Sequence, residues 1–201
     1  MQPKIDIPTI AHLELDSINH HTQLPETAIS KLFERVLLVI GNLASWIWLV
    51  LMAVIIINVL MRYVLGFGRI EFEELQWHLY AVGWLIGLSY CYVADDHVRV
   101  DLIHDGLTLK TQAWIEFLGI IILLTPFIIL VLWYSLPFII YSWDLGEVSG
   151  APGGLPYRWV MKGMLFIGFA LLLVATISRF SRVCSLLFSS KKGTADKQFK
   201  V

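Results

Sequence analysis

Several side chains in this 201-residue chain are of types that do chemistry. Asp95, Asp96, His97, Asp101, His104 and Asp105 crowd one short stretch, and His97 and Asp101 stand one helical turn apart. That spacing can present a carboxylate and an imidazole to a metal ion. A helix end that points polar groups into water predicts the same letters, and it is the simpler reading. His78 and His97 raise haem ligation, which needs two His at matching depth on facing helices. Nineteen residues of helix hold these two roughly 28 Å apart, and no other segment supplies either with a partner. His20-His21 lacks a third ligand. Cys91 and Cys184 lie in or beside apolar runs and read as small buried hydrophobes. The sequence thus nominates no catalytic, cofactor-binding or metal-binding residue, and the chain reads as a non-enzyme.

The elements that hold these residues are apolar. The chain is 57% hydrophobic and 15% charged, with a mean hydropathy of +0.71, where a soluble domain carries about a quarter charged residues. Eight Trp, seven Tyr and eleven Phe suit a protein with aromatic side chains at lipid interfaces. A net charge of -1 carries no electrostatic signal for nucleic acid. Four apolar runs, at about 36–61, 75–94, 114–143 and 159–180, are each near or above the roughly 20 residues needed to cross a bilayer. The expected fold is an all-α membrane protein of four transmembrane helices.

Residues 1–30 are polar and contain Pro3, Pro8 and Pro25. They read as a flexible leader without a signal peptide, so the first apolar run is expected to stay as an anchor. Residues 31–188 form the transmembrane domain and 189–201 a basic tail. Asn58 interrupts the first run and is expected to face another helix. Gly83 and Gly87 share a face of the second and permit close packing. Pro126 and Pro137 sit inside the third and are expected to bend it, and Glu116 lies in its first turn, easily solvated. Residues 144–158, DLGEVSGAPGGLPYR, form a Gly/Pro-rich loop.

Positive charge sets the orientation. With both termini in the cytoplasm, that side receives Lys4, Lys31, Arg35, Arg99, Lys110, Arg179, Arg182 and the tail lysines, leaving Arg62, Arg69, Arg158 and Lys162 outside. The polar patch is then cytoplasmic, and the Gly/Pro loop faces outward with Glu71, Glu73 and Glu74. Glu73 and Glu74 complement a helix N-terminus, and Arg62 and Arg69 are placed to pair with them. His97, Arg99 and Asp101 are expected to fix a turn at the inner surface. Trp143, Arg158 and Trp159 are expected to anchor helix ends at the outer interface, and the basic tail suits anionic lipids. Mid-depth charge is nearly absent and no repeat is evident, which argues against autonomous transport.

The ordered motifs Arg62-Tyr63, Glu73-Glu74-Leu75, Asp96-His97-Val98-Arg99-Val100-Asp101 and Gly153-Gly154-Leu155-Pro156, set between the apolar runs, resemble the small membrane subunit of tripartite ATP-independent periplasmic (TRAP) transporters, the DctQ-like family. The resemblance covers about residues 32–188. It implies a subunit of a sodium-coupled, binding-protein-dependent transporter for organic acids in the bacterial inner membrane. A large multi-helix subunit would carry the sodium and substrate sites and move them by an elevator motion. This chain would be a fixed scaffold that also helps dock the periplasmic substrate-binding protein, with no cofactor of its own. The Gly-Gly-Leu-Pro-Tyr-Arg-Trp loop looks like the branch linked to 2-oxo or hydroxy acids, mannitol-type solutes or aromatic acids. A free-standing membrane adaptor or assembly factor is the alternative, and a membrane redox anchor a third.

Overall fold

The computed structural model describes residues 25, 27–95 and 107–188, and all regular structure there is helical. The helices are α1 (Ala28–Ala44), α2 (Trp46–Tyr63), α3 (Ile70–Ala94), α4 (Leu109–Gly119), α5 (Thr125–Asp144) and α6 (Arg158–Phe188). α1 and α2 run on from one another across Ser45, whose hydroxyl donates to the Asn42 carbonyl at 2.7 Å. Helix starts follow the local chemistry. Thr27 and Ser30 form a reciprocal capping box ahead of α1, and the Thr108 side chain caps α4.

A π-helical turn, Ile120–Leu124, joins α4 to α5. Pro126 stands two residues past its end and explains it. Proline has no N–H to give and crowds the carbonyl four residues back, and widening the turn to i→i+5 relieves both. The Thr125 N–H accordingly donates to the Ile120 carbonyl. The expected disturbance at Pro126 is therefore a widened turn, while Pro137 lies within α5.

Three helical runs are long and apolar enough to cross a membrane: Ser30–Tyr63, Lys110–Asp144 and Arg158–Phe188. At 1.5 Å per residue the shortest, of 31 residues, is about 46 Å long, well beyond a core of roughly 30 Å. Their ends must tilt or extend past the hydrocarbon. α3 is long enough, at 25 residues, but with Glu71, Glu73, Glu74, Gln76 and His78 in its first half it is not among these three apolar runs. Its position compensates for that. α3 packs against α1, α2 and α6, and α6 packs against α1, α3, α4 and α5. The order across the bundle is therefore α1–α2, α3, α6, α4–α5.

Glycine sets two of these contacts. A Cβ at Gly168 of α6 would sit 2.8 Å from the Leu85 Cβ of α3, and one at Gly41 of α1 would collide with the Tyr90 ring. Gly83 lies against Trp48 of α2, whereas Gly87 has nothing within 4 Å. Asn58 of α2 is buried inside the bundle. Outward faces are apolar and aromatic, with Trp77, Leu123 and Trp133 each more than 70% exposed.

Candidate functional site

Polar side chains gather at the two ends of the bundle. At the loop end, Glu74, just past the first turn of α3, reaches across to the segment between α5 and α6. Its carboxylate accepts the Leu155 backbone N–H at 2.6 Å and the Ser149 hydroxyl. The loop is folded around this carboxylate. Ser149 N–H donates to the Leu155 carbonyl at 3.2 Å, and Gly154 N–H donates to that of Ala151 at 2.9 Å. Gly153 has a φ of +78°, open to glycine at no cost. Gly154 is required for space: a Cβ there would collide with the Ser149 Cβ and lie 2.8 Å from a Glu74 carboxylate oxygen. The Ser149 hydroxyl first, and the Leu155 N–H second, hold the Glu74 carboxyl below its ordinary range.

Glu147 and Lys162 form an ion pair at the same end, and Lys162 also lies 3.9 Å from the centre of the Phe138 ring. The pairing with Lys162 keeps the Glu147 carboxyl below its ordinary range. Trp143 and Trp159, the last turn of α5 and the first of α6, meet edge-on with ring centres 4.4 Å apart. They join the two helix ends between which the loop runs. Pro156 and Arg158 are exposed. Arg158 lines a cleft of about 390 Å³ with His78, Trp77 and Lys162.

The basic residues expected near the acidic cluster divide their attention. Arg62 reaches Glu73 at 3.3 Å, with both side chains largely in the open, and so connects α2 to α3. Arg69 pairs with Glu71 at 3.0 Å, within its own turn. Glu74 takes a hydroxyl and a peptide N–H instead of a cation.

The opposite end is held by buried charge. Arg179 of α6, 6% exposed at its side chain, meets Glu116 of α4 at 2.5 Å and Asp95, the residue that caps α3, at 3.0 Å. One turn on, Arg182 meets Glu34 of α1 at 3.0 Å, and the Ser178 hydroxyl donates to the same carboxylate at 3.2 Å. The hydroxyls of Thr27 and Ser181 lie 2.9 Å apart. α6 is thereby tied to α1, α3 and α4. Two expectations are corrected here. Glu116 is clamped by Arg179 and not simply solvated, and Asp95 is turned inward to the same guanidinium, with a φ of 63° closing α3. His97, Arg99 and Asp101, with the rest of the patch from Asp96 to Asp105, lie outside the described residues, as do His20-His21 and the tail.

Sequence reasoning passed over Ser149, Glu147 and the Asp95–Glu116–Arg179 triad. One signal was available: an arginine flanked by an apolar run on one side needs a stated partner, and Arg179 follows such a run.

This geometry defines a multi-pass helical membrane protein whose polar groups knit its own helices together. A family model described as "Tripartite ATP-independent periplasmic transporters, DctQ component" matches residues 51–185. The chain belongs to that family and is a TRAP transporter small membrane component. The match begins inside α2 and ends inside α6, so it takes in the loop end and the Arg179 clamp. The family works in a tripartite system with a large membrane subunit and a periplasmic binding protein. No curated protein matches the chain.

Proposed function

We propose that this component is a stationary scaffold that crosses the bacterial inner membrane four times, with α3 as the fourth crossing and both termini in the cytoplasm. The large subunit carries the sodium and organic-acid sites and does the moving. The observation that carries this reading is where the charge goes. Glu34, Asp95, Glu116, Glu147, Lys162, Arg179 and Arg182 are engaged with one another near the bundle ends, and the stretches 36–61, 75–94, 117–143 and 163–178 hold no Asp, Glu, Lys or Arg. A solute and its coupling ion need polar ligands at mid-depth, whereas a scaffold needs rigidity and a wide apolar surface for its neighbour.

On this reading the loop end faces the periplasm. The loop braced by Glu74, with Gly153, Gly154, Pro156 and Arg158, presents a fixed surface to the binding protein beside Arg62, Arg69 and Glu73. His97, Arg99 and Asp101 meet the large subunit on the other side, and the basic tail rests on anionic lipids. Mild detergent extraction tests the reading. The large membrane subunit should co-purify with this chain, and substrate uptake should be lost when the chain is omitted. Full uptake by the large subunit and binding protein alone would refute it.

A further inference from the structure

The first helix carries a run of chemistries along one face that its own bundle leaves uncovered. Lys31, Arg35, Leu38, Asn42 and Ser45 follow one another at three- or four-residue steps, which places them in one stripe. A shallow groove of about 460 Å³ is lined by Lys31, Glu34, Arg35, Leu38, Val39 and Asn42. At Asn42 it meets a deeper cleft of about 470 Å³ between the α1–α2 junction and α3, lined by Asn42, Ser45, Trp48, Gly83, Gly87 and Leu88. Its volume lies within the range typical of ligand sites, roughly 300–1,000 Å³. The floor is the backbone of α3 at Gly83 and Gly87, and the open space over Gly87 is what keeps the cleft from closing. Trp48, braced edge-on by Tyr80 at 5.9 Å, forms a wall.

We infer that this continuous groove holds one anionic phospholipid, its phosphate at Arg35, its ester region at Asn42 and Ser45, and an acyl chain in the cleft over Gly87. The order of groups matches the ligand from end to end. From Arg35 to Asn42 is seven residues, about 10 Å along the helix, and Trp48 lies about 20 Å from Arg35. Cation, amide and hydroxyl, then aromatic and glycine, is the polarity gradient of a lipid lying along a helix. Charge decides between lipid and a covering protein helix. Arg35 is exposed and makes no ion pair among the described residues. The neighbouring Glu34 is already taken by Arg182 and Ser178. An apolar helix laid over this stripe would bury the Arg35 charge without a counterion, whereas a phosphate supplies one. Asn42, exposed in an apolar run, likewise finds acceptors in ester carbonyls that hydrocarbon cannot offer.

The test uses the full chain purified with its large membrane subunit, so lipid occupancy is read independently of transport. Dioleoyl phosphatidylglycerol and dioleoyl phosphatidylcholine are titrated separately and counted by native mass spectrometry. One phosphatidylglycerol should bind at about fivefold lower concentration than phosphatidylcholine, the preference expected from one interfacial cation. Arg35→Gln should abolish that preference. Gly87→Leu, which fills open space, should remove the adduct of either lipid with co-purification unchanged. Should Gly87→Leu disturb assembly, Arg35→Gln decides alone, because its side chain is exposed. Equal binding of the two lipids by the wild-type chain, or an unchanged preference in Arg35→Gln, overturns the inference. So does a photo-crosslinker at Leu88 that captures the large subunit in place of lipid.

Discussion

At the end bearing Asp95 and Glu116, charged side chains from α4, α6 and the C-terminal end of α3 meet, with Arg179 and Asp95 buried and Glu116 19% exposed. At the loop end a carboxylate on α3 takes its hydrogen bonds from the hydroxyl and the peptide N–H of one loop. The first arrangement joins elements up to 84 positions apart in sequence (Asp95 to Arg179) and fixes the relative placement of helices. The second shapes a single exposed loop. Buried charge is costly to expose unpaired, so the clamp resists change. The loop can be altered while the bundle stands, as suits a surface meeting a partner.

The sharpest way to break this comparison is at Arg179. Arg179→Met leaves Glu116 and Asp95 facing each other without a cation and should cost about 3–5 kcal/mol. Thermal unfolding in detergent should show a large fall in midpoint, and adding Glu116→Gln with Asp95→Asn should restore part of it. Gly154→Ala comes next. The new methyl meets Ser149 and Glu74, and overpacking of this kind costs about 1–3 kcal/mol. Hydrogen exchange should rise in residues 146–157 and stay unchanged around Arg179.

Acid sharpens the contrast further. The folded carboxyls of Glu74 and Glu147 titrate below the ordinary value of 4.5. Between the two values the unfolded chain binds more protons, so their contribution is fully present above about pH 4.5 and drains away as pH falls through the folded values. Exchange in the loop should accelerate over that window, and Glu147→Gln should remove part of the pH dependence. The smallest effect belongs to Arg62 and Glu73, whose side chains are 61% and 42% exposed. A double-mutant cycle of charge reversals should give a coupling of about 0.2–1 kcal/mol. A larger value would mean that this pair belongs with the buried class.

What the sequence disclosed, and what it withheld, follows the same division. Apolar runs of bilayer length, the Gly/Pro loop and the acidic start of α3 are local patterns, and each is legible from neighbouring residues. The pairing of Arg62 with Glu73 spans eleven positions and one turn, close enough to suspect. The Arg179 clamp was not legible, because nothing near Arg179 names Asp95 or Glu116 as its partners. Only the packing of α6 between α3 and α4 brings them together. Glu74 shows the converse limit. Its position invited an arginine partner, and the folded loop supplied Ser149 and a peptide N–H first. The π-helical turn at Ile120–Leu124 was half legible: Pro126 announces a disturbance but not whether the helix bends or widens.

The central claim is that this chain holds the transporter together and does not itself carry solute. Uptake of a radiolabelled organic acid by vesicles under an imposed sodium gradient tests it most directly. Vesicles containing this chain alone should show no accumulation, and those that also contain the large subunit, supplied with the binding protein, should accumulate solute. Accumulation by vesicles that contain only this chain would contradict the account.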